Sequence, residues 1–102
     1  MDNKYHGKGK YTSASGKVYD GDCKDGEKHG YGILKYVNGD VYEGSWKDNK
    51  RHDYGIFTYV NGDVYNGVWK NDKRHGYGVL TSADGTIYDG GWKDGEKLNQ
   101  IA

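Results

Sequence analysis

Four histidines recur at one interval: His6, His29, His52 and His75, each 23 residues from the next. Histidine ligates metals and moves protons near neutral pH. Zinc ligands lie about 2.0–2.1 Å from their ion. Paired strands lie about 4.8 Å apart, so copies of a two-strand unit sit roughly 10 Å apart and their histidines do not share one ion. A turn or strand-end role is the better reading. The same reasoning applies to catalysis, which needs a unique cluster of base, orienter and stabiliser. A residue that recurs in every copy sits in a similar environment each time. The chain has no nucleophile elbow, P-loop, His-Glu-x-x-His or Cys-x-x-Cys. No catalytic, metal or cofactor residue is assigned, and no cofactor is implied.

Cys23 is the one cysteine, so no intrachain disulfide forms. It stands where later copies place Trp. A small hydrophobe filling that slot is favoured over a reactive thiol, and it leaves a local packing deficit. Basic residues gather as Lys47, Lys50 and Arg51 and again as Lys70, Lys73 and Arg74. Asp48, Asp72 and other acids are interleaved with them. A solvated mixed-charge edge is weighed against a phosphate-binding one, for which Lys50, Arg51, Lys73 and Arg74 are the lipid-binding candidates. Aromatic residues form the third set: Tyr42 with Trp46, Tyr65 with Trp69, and Tyr88 with Trp92.

Fifteen basic residues balance fifteen acidic ones, so the net charge is zero. That gives no long-range attraction to nucleic acid, and no nucleic-acid partner is expected. Hydrophobic residues make up 33% and the mean hydropathy is -1.10, values that lean toward disorder. Eleven Tyr and three Trp argue the other way. Rings must supply much of the buried surface, which points to a thin, single-sheet structure. No apolar run approaches a membrane span, and the N-terminus has no signal-peptide core. The default location is cytoplasmic, with cytoskeletal or membrane association as options.

The elements that must position these residues follow from the repeat. Full copies occupy 19–41, 42–64 and 65–87, flanked by partial copies at 6–18 and 88–102. The whole of 1–102 is one domain. Each copy reads as two short strands, with period-2 alternation in Tyr-Glu-Gly-Ser-Trp (42–46) and aromatic and β-branched residues in 54–60. Asn38-Gly39, Asn61-Gly62 and Asp84-Gly85 mark hairpin turns. The Lys-Asp-Gly-Glu-Lys-His-Gly segments form a looser turn at the other end. For Gly32 and Leu34 to share a side with Tyr42, Gly44 and Trp46, paired residue numbers must sum to an even value. A three-residue turn, Val37-Asn38-Gly39 with Gly39 left-handed, meets that condition. The fold class expected is all-β, an elongated single-layer antiparallel meander of hairpins stabilised mainly between neighbours.

The runs YEGSWKDNKRHDYGIFTYVNGDV (from Tyr42) and YNGVWKNDKRHGYGVLTSADGTI (from Tyr65) resemble MORN repeats over about residues 6–97. Cys23 departs from the pattern's Trp, Asp53 from a Gly, and Leu98-Asn99 from His-Gly, which suggests that the array stops there. The resemblance implies a hairpin array with a groove for a partner. Such repeats occur in scaffolding proteins and beside catalytic domains, and lipid binding has been proposed for them. The expected function is a non-enzymatic scaffold holding a protein partner, an extended peptide or helix, along an aromatic groove. Nothing in a one-layer sheet covers the ladder from above, so part of it must line that groove. Leu34, Tyr42, Trp46, Phe57, Tyr65, Trp69, Leu80, Tyr88 and Trp92 are the contact candidates. The alternatives are an anionic-lipid module and a regulatory fragment of a larger enzyme. Open end strands also allow end-to-end homo-oligomers.

Overall fold

The computed structural model describes residues 7–98. His6 and residues 99–102 lie outside the described residues. Nine strands follow one another: β1 (Gly7–Thr12), β2 (Val18–Lys24), β3 (Glu27–Lys35), β4 (Val41–Lys47), β5 (Lys50–Thr58), β6 (Val64–Lys70), β7 (Lys73–Thr81), β8 (Ile87–Lys93) and β9 (Glu96–Lys97). Each pairs antiparallel with its sequence neighbour in one open sheet. The principal extents are 58 × 23 × 17 Å. An all-β meander one sheet thick, as the repeat predicts, is the observed architecture.

Two turn types alternate along the edges. Tyr36 N–H donates to Asp40 O at 2.9 Å and Gly39 N–H to Tyr36 O at 3.0 Å, with Gly39 at φ 105°. That is the predicted three-residue turn, and it sets Leu34 opposite Tyr42. The opposite edge differs from expectation. Its turns are the tighter ones, two residues each: Asp25-Gly26, Asp48-Asn49, Asn71-Asp72 and Asp94-Gly95 all have positive φ. Lys47 pairs Lys50 and Lys70 pairs Lys73 across them. Two left-handed residues match the twist of the flanking strands, and Asp, Asn and Gly tolerate that conformation.

The apparent looseness comes from a bulge next to each tight turn. Gly44 pairs Gly55 while Trp46 pairs Arg51, so Ser45 alone faces His52, Asp53 and Tyr54. Asp53 has φ 63°, the conformation that Gly30 and Gly76 adopt in their copies. Inserting two residues rather than one preserves parity. Arg51 therefore stays on the same side as Gly55 and Phe57.

Turns of adjacent hairpins are also tied together. Asp40 Oδ1 accepts from Val60 N–H and Asp63 Oδ1 from Ala83 N–H, both at 2.8 Å. On the other edge, Asn49 Oδ1 accepts from Lys28 N–H and Asp72 Oδ1 from Arg51 N–H, again at 2.8 Å. Backbone bonds return from Asn49 N–H to Lys28 O at 3.1 Å and from Asp72 N–H to Arg51 O at 3.1 Å. The three full copies are thus clamped to one another at both edges.

Candidate functional site

The register lines glycines up across the sheet: Gly9, Gly21, Gly32, Gly44, Gly55, Gly67, Gly78 and Gly90 face one another in sequence. The tyrosine that opens each repeat lies down on this row. A Cβ built on Gly55 would overlap the Tyr42 hydroxyl, and one on Gly78 the Tyr65 hydroxyl. The hydroxyls donate to backbone carbonyls, Tyr42 to Ser45 O and Tyr65 to Val68 O, each at 2.9 Å. Burial disfavours the phenolate and pushes Tyr65 up to about 12, and it raises Tyr19 and Tyr42 as well.

The tryptophans stand edge-on to these rings. Trp69 is 5.0 Å from Tyr65 and 5.6 Å from Tyr42, at interplanar angles of 80° and 90°. Trp46 bridges Tyr42 and Tyr19 in the same way, and Trp92 bridges Tyr88 and Tyr65. Their Nε1–H groups donate to Gly32 O, Gly55 O and Gly78 O at 3.2 Å. Each T-shaped pair adds about 0.5–1.5 kcal/mol beyond the area it buries.

Arginine and lysine close the layer. The Arg51 guanidinium lies 4.7 Å over Trp69 and is held by Asp72, with Nε to Oδ1 at 3.1 Å. Arg74 lies 4.9 Å over Trp92 and donates to Tyr59 Oη at 2.5 Å. Lys28 lies 5.2 Å over Trp46. These stacks explain why a one-sheet ladder is covered after all. Glycine lets the first rings lie flat, the indoles fill in beside them, and cationic side chains form the lid.

All nine contact candidates fall on this one face. Leu34, Tyr42, Trp46, Phe57, Tyr65, Trp69 and Trp92 are buried, with Tyr42 and Tyr65 at 0% exposure, while Leu80 and Tyr88 are half-buried. The accessible apolar surface comes from Leu80 and Tyr88 together with Tyr11, Tyr36 and Tyr59. Tyr36 and Tyr59 were not among the candidates. Their signal is a 23-residue spacing just ahead of Val-Asn-Gly. Of the four lipid candidates, Lys50 and Lys73 are exposed beside the tight turns, whereas Arg51 and Arg74 lie over the indoles.

The MORN-repeat family model matches residues 1–18, 19–41, 42–64, 65–87 and 88–97. The chain belongs to the MORN-repeat family. No curated protein sequence matches it. MORN repeats are generally non-enzymatic modules, often of protein or membrane binding.

Departures from the MORN pattern map onto shape. Cys23, in the tryptophan slot, borders a cleft of about 280 Å³ whose walls include Tyr11, Tyr19 and Leu34, with Lys17 and Lys28 on its rim. This is the packing deficit that the Cys-for-Trp exchange implies. Burial raises the Cys23 thiol, partly offset by Lys28, so it is no activated nucleophile. The opposite face of the MORN sheet carries a second series that was not foreseen, the exposed Tyr31, Tyr54 and Tyr77. Their hydroxyls donate to Glu43, Asn66 and Asp89 on the next strand. The signal was the Gly/Asp-Tyr-Gly triplet at the repeat interval.

Proposed function

We propose that the chain is a non-enzymatic protein-interaction scaffold that receives an extended peptide or helix along its aromatic face. The observation that carries this reading is the strip of half-buried Tyr36, Tyr59, Leu80 and Tyr88 over a floor of interlocked rings. Such a floor does not reorganise on binding, so the contact side chains lose little freedom when a partner docks. Aromatic side chains that keep a polar edge are the common anchors of interfaces. Reaction chemistry has no comparable support, because the polar groups on this face serve as clamps and lids.

Peptide display against the intact chain, followed by calorimetry, tests the reading. Replacing Tyr36 and Tyr59 by Ala is expected to weaken selected peptides by about tenfold or more, with the fold intact by circular dichroism. Peptides whose affinity ignores both changes, and that map to the Tyr31–Tyr54–Tyr77 face, would sink it. The lipid alternative is separated by co-sedimentation with phosphatidylserine vesicles. Salt-sensitive binding that disappears on Lys50→Glu with Lys73→Glu would favour it instead.

A further inference from the structure

Why the cleft opens at one end of the ladder is visible by aligning the repeats. Three slots that hold Tyr36, Trp46 and Phe57 around Arg51 hold Ser13, Cys23 and Leu34 around Lys28. In the middle of the array those larger groups meet: Tyr36 lies 5.6 Å from Phe57, and Arg51 is 5.1 Å over Phe57. At the N-terminal end the corresponding space is the cleft bounded by Tyr11, Ser13, Tyr19, Cys23, Lys28 and Leu34. The walls are aromatic and aliphatic. Among the described residues, the charged groups lining it are Lys17 and Lys28, and none is a carboxylate.

We propose that this cleft is a subsite for an indole side chain carried next to a carboxylate, the indole taking the place of the rings that this repeat lacks. The proposal rests on the interaction reading above and names where the partner is anchored. The charge on the rim is complementary to the carboxylate, and the space adjoins the slot where later copies hold an indole edge-on to their own tyrosine, as Trp46 does to Tyr42 and Trp69 to Tyr65. Lys28 Nζ, 5.2 Å over Trp46 and 5.9 Å over Tyr19, lines the cleft and is the ammonium that would meet the carboxylate. Burial lowers the Lys28 pKa, so an incoming carboxylate would restore part of the stabilisation that its ammonium has lost.

The test uses N-acetyl-tryptophan, which keeps its carboxylate, and N-acetyl-tryptophanamide, which does not. Each is titrated to about 10 mM, since single anchors bind near the millimolar range, with amide shifts followed by NMR. Expected are shifts centred on Ser13, Tyr19, Cys23, Lys28 and Leu34, with the acid tighter than the amide by about threefold or more. Cys23→Trp and Ser13→Tyr restore side chains found at those slots in other copies and fill the cleft, so each is expected to abolish the shifts. Either variant serves if the other fails to fold. Lys28→Met is expected to remove the difference between acid and amide. No shifts, shifts that persist in the filled variants, or equal affinity for the two probes would overturn the proposal. Peptides that bind across Tyr36 and Tyr59 while ignoring Cys23→Trp would retire the subsite and leave the scaffold reading standing.

Discussion

Tyr42 and Tyr65 are closed in by glycine below and tryptophan at the sides, with Arg74 above Tyr65, and each of these contacts sets a measurable cost. Adding one methyl at Gly55 forces the Tyr42 ring out of its bed. Gly55→Ala is expected to destabilise the chain by about 3 kcal/mol, the upper part of the overpacking range, read from urea unfolding. The tyrosines also predict alkaline behaviour. Burial holds the Tyr65 proton to about pH 12 in the folded chain, against 10.0 for an ordinary tyrosine. Between those values the unfolded chain has released more protons than the folded one, so stability falls as pH rises. Below pH 10 both states keep the proton and this group contributes no slope. Tyr19 and Tyr42, also raised, act in the same direction. The expected outcome is a Tm that declines steeply above pH 10; a Tm level to pH 12 would contradict the burial described.

At the element scale, the tight turn and its bulge decide where the cations go. Asp72 serves three donors on Arg51: its carboxylate accepts from the backbone N–H and from Nε, and its carbonyl from Nη2. Asp72→Ala is expected to cost about 1–3 kcal/mol, because a half-buried N–H loses its acceptor. Asp72→Asn keeps an oxygen there and should cost less; equal losses in urea titrations would show that the clamp is not the cause. The bulge carries its own test. Asp53 holds the left-handed conformation that glycine adopts in other copies. Asp53→Ala is expected to lose about 1 kcal/mol relative to Asp53→Gly, since a Cβ without a local polar partner is disfavoured there.

For the whole molecule, stability runs along one dimension, because each strand touches mainly its neighbours and the turns of the full copies are tied one to the next. The ring ladder is unbroken from Tyr19 to Trp92, thins at Cys23, and ends in the two-residue β9. Hydrogen exchange should therefore be slowest in β4–β7 and fastest in β1 and β9, with amides of β1 opening first. Cys23→Trp should slow exchange in β1 and β2. Uniform protection across all nine strands would mean that the array unfolds as a single unit instead.

The 23-residue interval, the period-2 alternation and the parity of Leu34 against Tyr42 were enough to determine an antiparallel meander with its rings on one side, since backbone pairing and side-chain direction are local and regular. The same residues gave away the weak point at Cys23. Which turn is tight was not readable from composition, because the bulge at His52-Asp53-Tyr54 mimics a longer loop in sequence. Nor was the burial of Trp46, Trp69 and Trp92, which depends on glycines from adjacent strands meeting in one row. The placing of Arg51 and Arg74 over neighbouring indoles likewise joins groups from successive repeats. Contacts of that kind exist only once the strands are side by side, so tertiary structure alone separated the ladder's sealed interior from the half-buried tyrosines and the cleft at its edge.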